Sequence, residues 1–316
     1  YASFADLADF FRKVNLNTTL SNNQLGFADL RLLVGDSLAG LDLRQAGKLE
    51  LRGQITGPPA DLQLDDLQVS LGRAVKLSAR GRLAGLPSVE DLQIDLPEIS
   101  LRLRPELLRP LLLAALPPLV DSLGEMDYTG HLRGALDSFS SDGRLRTALG
   151  NARYELQGGL APDFQTADYR GKLELKQVDL ARLTADTSFG PLYLQTEFRG
   201  SGLQPDDLQL ALSGAVERFG YLGYTYQPLQ VQAQMQGSRL QSQLNMADPN
   251  LAFDLSAQLD WSDSLPDIAL RGTVDSILLQ PLQLYYQNLQ ARSRIDLEIT
   301  DWDLSAPQIR LRLEEL

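Results

Sequence analysis

The sequence has no cysteine and only one histidine, His131, in 316 residues. The first absence removes disulfide frameworks, thiolate nucleophiles and thiolate zinc sites together. The second leaves too few partners for a Ser-His-Asp triad or a histidine-based metal centre. His131 falls on the polar side of the alternating stretch Met126–Leu132, where it reads as a solvated surface residue. A basic excess is also missing. The net charge of -12 and the pI near 4.6 leave no stripe that could release counterions from a phosphate backbone, which excludes nucleic-acid binding and disfavours anionic membrane surfaces. The acidic groups are scattered along the chain, so they serve solubility rather than steering.

Long apolar runs are lacking as well. The longest, Leu111–Val120, is broken by Pro117 and Pro118 and falls short of the roughly 20 residues that span a bilayer. No secretion signal is visible and the sequence opens on Tyr1, so targeting and anchoring elements are expected outside it. The Gly200-Ser201-Gly202 triplet runs into Leu203-Gln204-Pro205 rather than a helix and makes no phosphate loop. Asp248-Pro249-Asn250 lacks the further acidic ligands of a calcium turn. The pairs Asp65-Asp66 and Asp206-Asp207 both precede Leu-Gln and read as turn initiators before strands, not as acid/base carboxylates. No catalytic constellation, cofactor or metal is expected, and the chain is read as a non-enzyme.

What the sequence does have is period-two alternation, the mark of strands with one apolar and one wet face. Leu229, Val231, Ala233 and Met235 alternate with Gln230, Gln232, Gln234 and Gln236. Leu251, Phe253, Leu255, Ala257 and Leu259 oppose Asp254, Ser256 and Gln258; Ile268, Leu270 and Val274 oppose Arg271, Thr273 and Asp275. The same pattern marks Leu77/Ala79, Leu92/Ile94, Leu173/Leu175, Leu208/Leu210/Leu212 and Ile295/Leu297/Ile299. Roughly 17 to 20 strands follow. Short Gly-, Pro- and Asp-rich turns between them favour hairpins, so the predicted fold is all-β and mostly antiparallel. Glycine recurs inside the strands, at Gly53, Gly81, Gly130, Gly171, Gly214 and Gly272, which signals local bending or close backbone approach.

Helical pattern is scarce: Phe4–Phe11, a Leu/Pro-rich helix opening at Pro105 and interrupting the strands over 105–120, and Pro281–Leu289. Three short helices cannot cover nearly twenty one-sided strands, so the apolar faces must cover one another or a ligand. Alternation leaves both outcomes open: a face-to-face sandwich, or one sheet with an apolar channel. Leu108, Leu111, Leu112 and Leu116 are equally open between a core helix and a lid on an apolar groove. The predicted organisation is a short helical lead-in over 1–20, continuing from a preceding region, and one continuous β region over 21–316.

The stretch YLGYTYQPLQVQAQMQGSRLQSQLNMADPNLAFDLSAQLDWSDSLPDIALRGTV, Tyr221 to Val274, resembles the TamB family in its Bacteroidota form and, more distantly, the AsmA-like repeat proteins. Leu77–Leu96, Gly143–Leu156 and Tyr169–Leu183 support the likeness, which covers about Gly47 to Thr300. The resemblance implies a β-taco, a long curled sheet with an aliphatic groove. It implies a periplasmic segment of an inner-to-outer-membrane bridge carrying phospholipid, anchored to the inner membrane by an N-terminal element outside this sequence. It further implies partnership with an outer-membrane barrel of the TamA type. The alternate apolar residues named above, Leu77 through Ile299, are then the groove lining. The competing expectation is a scaffold for outer-membrane protein assembly that works through strand edges.

Overall fold

The structure, a computed structural model, describes residues 10–25, 49–88, 90–109, 122–161, 166–204, 207–262, 266–300 and 308–315. The chain divides into two compact units, Tyr1–Pro162 and Asp163–Leu316. Each is an antiparallel meander in which successive strands pair.

In the first unit a single-turn helix α1 (Phe10–Lys13) leads into β1 (Leu16–Leu25), β2 (Leu49–Gly57), β3 (Asp61–Leu71), β4 (Val75–Ala84) and β5 (Gln93–Leu103). The one-turn α2 (Pro105–Leu108) follows, then β6 (Met126–Ala135), β7 (Ser138–Thr147) and β8 (Gly150–Leu160). The second unit holds β9 (Ala167–Asp179), α3 (Leu180–Thr184), β10 (Phe189–Ser201), β11 (Gln209–Tyr221), the three-residue β12 (Tyr224–Tyr226), β13 (Leu229–Gln236) and β14 (Arg239–Asp248). It continues through β15 (Leu251–Asp260), β16 (Asp267–Leu278), β17 (Gln290–Thr300) and β18 (Gln308–Glu315). Both β12 and β13 pair with β11, because β12 covers only its last residues. Among the described residues no helix is long and apolar enough to cross a membrane.

The all-β, antiparallel expectation therefore holds. Among the described residues of each unit the strands touch their ladder neighbours, and α3 lies against β10. Among the described residues of each unit the strands form a single sheet and not two packed face to face. The expectation of a long curled sheet holds only in its coarser part, since the meander within each unit is neither closed nor strongly curled. Its bends are local. At β4 the bulge of β5 around Pro97 faces Gly81, whose φ is +141° and whose absent Cβ would sit 2.0 Å from the Asp95 carbonyl oxygen. The bulge inserts one residue and keeps the apolar phase, so Leu96 and Ile99 both stay aligned with that face.

Two local expectations also change. Asp65-Asp66 lies inside β3 as a bulge, with Asp66 at φ 48°, not ahead of a strand. Residues 281–289 form turns rather than a helix, since Gln283 takes φ 60°. Of the Leu/Pro-rich stretch, Pro105–Leu108 is helical, while Leu111, Leu112 and Leu116 lie outside the described residues, as do residues 4–9 of the first helical stretch.

Candidate functional site

Residues directly opposite each other in an antiparallel ladder share a face, so the register turns alternation into rows. In the second unit one row runs Tyr169, Gly200, Leu210, Met235, Leu240, Leu259, Ile268, Ile299. The next runs Gly171, Phe198, Leu212, Ala233, Ser242, Ala257, Leu270, Leu297, Leu311. A third holds Leu173, Thr196, Gly214, Val231, Leu244, Leu255, Gly272, Ile295, Leu313. A fourth holds Leu175, Leu194, Val216, Leu229, Met246, Phe253, Val274, Ser293. Leu251 continues the face beyond the fourth row, opposite Ile277; Leu208 stands just before β11.

The first unit brings Leu77 into a row with Leu51, Val69, Leu101, Tyr128, Leu145 and Ala152. Ala79 aligns with Leu67, Ile99, Gly130, Gly143 and Tyr154. Ile94 aligns with Leu83, Gly134 and Phe139, while Leu92 precedes β5.

The reverse face is charged and amidic. Between the rows of the second unit stand Gln230 beside Asn245, Gln232 beside Gln243 and Gln234 beside Gln241, all exposed. Arg82 makes a bidentate pair with Asp61 at 2.5 and 2.7 Å, Arg102 bonds Asp127 at 2.6 Å, and Arg239 bonds Asp260 at 2.7 Å. His131 sits there as well, its Nδ1 3.0 Å from Asp142. Exposed ion pairs of this sort add little stability but keep that face wet and set cross-strand register.

The apolar rows are mostly half-buried rather than buried. Along β15 and β16 only Leu255 and Val274 are buried, the other apolar side chains being half-buried. One segment does cover part of the face, and periodicity missed it. Residues 279–289 close on themselves through Leu279 N–H to the Leu289 carbonyl (3.0 Å) and Leu284 N–H to the Leu279 carbonyl (3.0 Å). This strap seats Leu282, 0% exposed, against buried Tyr226 and Met246, with Phe219, Tyr224, Leu229, Leu251, Phe253 and Ile277 around them. Its outer side shows Leu284, Tyr285, Tyr286 (74% exposed) and Leu289. No charged residue occurs from Ser276 to Ala291, the one signal that could have marked it.

Beneath the strap Asp248 is buried and fully bonded: Oδ1 accepts from the Tyr224 hydroxyl (2.6 Å) and the Asn250 N–H (2.9 Å), Oδ2 from the Gln227 N–H (3.1 Å). Burial and the Asp248 carboxylate raise the Tyr224 pKa. Tyr221, Tyr224 and Tyr226 thus belong to one packed cluster.

No family model, curated protein or solved structure matches the chain. The face must be understood from its own geometry. At the strand ends opposite the strap, an open depression of about 520 Å³ lies on the polar face, lined by Asp168, Arg199, Gln209, Gln234, Arg239 and Gln241, which alternate with Leu210 and Met235 of the apolar face. Leu108, the described part of the candidate lid, is half-buried in α2.

Proposed function

We propose that the chain is a lipid-handling segment of a bacterial envelope bridge, in which each apolar sheet face receives the acyl chains of phospholipids. One observation carries this reading: among the described residues, rows of aliphatic side chains continue from strand to strand and, outside the patch seated under Leu282, stay mostly half-buried. Large uncovered apolar faces are costly in water and mark sites for an apolar occupant. Transfer of acyl chains from a bilayer to such a floor is close to neutral in free energy, because both are apolar. The chain's role is binding and passage without catalysis, in the periplasm. The groove is a sheet that curls further around its cargo into a β-taco, tethered to the inner membrane and working with an outer-membrane barrel of the TamA type. The partner, location and taco form rest on the resemblance to TamB.

The test is mass spectrometry of lipid extracted from the purified chain, with Leu255→Asp/Leu270→Asp as comparison. Phospholipid bound to the wild type and lost from the variant is expected. A wild type free of lipid, and unable to take it from vesicles, overturns the reading.

A second reading is a scaffold that pairs client β-strands. The observation favouring it is that, among the described residues, β18 pairs only with β17 and leaves Leu311 and Leu313 more than half exposed beside a free edge. Client capture that survives Leu255→Asp/Leu270→Asp would favour the edge over the floor.

A further inference from the structure

Three hydroxyl groups interrupt the apolar face of the first unit, and their protons are directed. The Ser141 hydroxyl donates to the His131 carbonyl oxygen at 2.8 Å. A serine has one hydroxyl proton, so the 2.9 Å contact between Ser141 and Tyr154 must be Tyr154 donating to Ser141. That uses the only proton of Tyr154, and the 2.8 Å contact between the two tyrosine hydroxyls must then be Tyr128 donating to Tyr154. The chain Tyr128 to Tyr154 to Ser141 to carbonyl consumes every donor and leaves only lone pairs.

The sheet makes room for this chain. The Tyr128 and Tyr154 rings are stacked at 6.3 Å with an interplanar angle of 15°. A Cβ at Gly130 would lie 2.3 Å from the Tyr128 hydroxyl, and one at Gly143 would lie 2.6 Å from its ring. These glycines let the ring lie flat along the floor. Around it stand Leu101, Ile99, Leu132 and Leu156, all apolar. Burial and the Tyr154 hydroxyl push the Tyr128 pKa up to about 12, so the phenol keeps the proton it donates.

We propose that Tyr128, Tyr154 and Ser141 form an acceptor-only site for a hydrogen-bond donor carried on the apolar part of a bound lipid, a chain hydroxyl or an amide N–H. This rests on the lipid reading above and adds selectivity to it. A plain acyl chain laid over the site would cover phenol oxygens without bonding them, whereas a hydroxylated chain supplies the missing donor.

The test offers the purified chain vesicles of phosphatidylcholine in which half the molecules carry a hydroxylated acyl chain, then weighs the two species in the extracted lipid. The wild type should enrich the hydroxylated species roughly fivefold, the size of one net hydrogen bond. Tyr128→Phe/Tyr154→Phe keeps both rings and should bring the ratio to about one. Should the double variant fail to accumulate, Tyr128→Phe alone, which removes the terminal acceptor, should lower the enrichment. Equal uptake by the wild type, or enrichment that survives in the variants, overturns this proposal and leaves the lipid reading standing. Absence of either lipid from the wild type overturns both.

Discussion

Leu255 of β15 stands across the ladder from Gly272 of β16, and the glycine has no room for a side chain: at φ +152° its Cβ would lie 2.1 Å from the Asp254 carbonyl oxygen. Gly272→Ala should therefore destabilise the second unit by about 1–3 kcal/mol, the usual size of imposed backbone strain. Urea unfolding measures it. An unchanged midpoint would contradict the close approach.

The strap makes a second prediction. Leu282→Ala should lower stability by about 2–5 kcal/mol, because the cavity opens inside a cluster with little freedom to collapse. Tyr286→Ser, on the exposed outer side, should stay within about 0.5 kcal/mol of the wild type. Equal losses from both would mean that the strap is not seated through Leu282.

How much of this was legible beforehand depends on whether the information is local. Alternation along Leu229–Gln236 and Leu251–Asp260 separates two faces on its own, since a strand's side-chain period is two. The short turns between runs make neighbours of successive strands, so the antiparallel order is legible as well. Register is not. What places Leu244 between Val231 and Leu255, or Tyr154 across from Gly143, is bulge and turn geometry that residue pattern does not encode. The degree of curl is equally hidden, because it depends on how many columns bend and in what sense. Residues 281–289 look helical from their opening proline and leucine spacing, but the burial of Leu282 is decided by Tyr226 and Met246, far away in sequence. Asp65-Asp66 looks like a turn because a bulge uses the same residue chemistry.

Asp248 predicts a third outcome. Removing its carboxylate leaves the Tyr224 hydroxyl and the N–H groups of Gln227 and Asn250 without their acceptor. Asp248→Ala should cost about 1–3 kcal/mol for each donor left dry, and Asp248→Asn, which keeps one oxygen, should cost less. Denaturant midpoints of the two variants provide the comparison; the reverse order would contradict the assigned bonds.

Asp260 gives a pH prediction. The Ser262 hydroxyl and N–H, followed by Arg239, hold its pKa down to about 2 from an ordinary 3.8. A carboxylate depressed on folding contributes stability that is complete above the unfolded value and fades as pH falls through about 2. Carboxyl chemical shifts followed by NMR should show that midpoint, and Ser262→Ala should move it upward. A midpoint near 3.8 in the wild type would show that the Ser262 bonds do not form.

The central claim is that one face of each sheet, and not the other, meets lipid. Photo-crosslinking residues placed singly at Leu244 and Leu297 on the apolar face, and at Gln243 and Asp296 on the polar face, report this directly in vesicles or whole cells. Phospholipid adducts at Leu244 and Leu297 with none at Gln243 or Asp296 are predicted. Equal adducts on both faces, or none on the apolar one, would contradict the account.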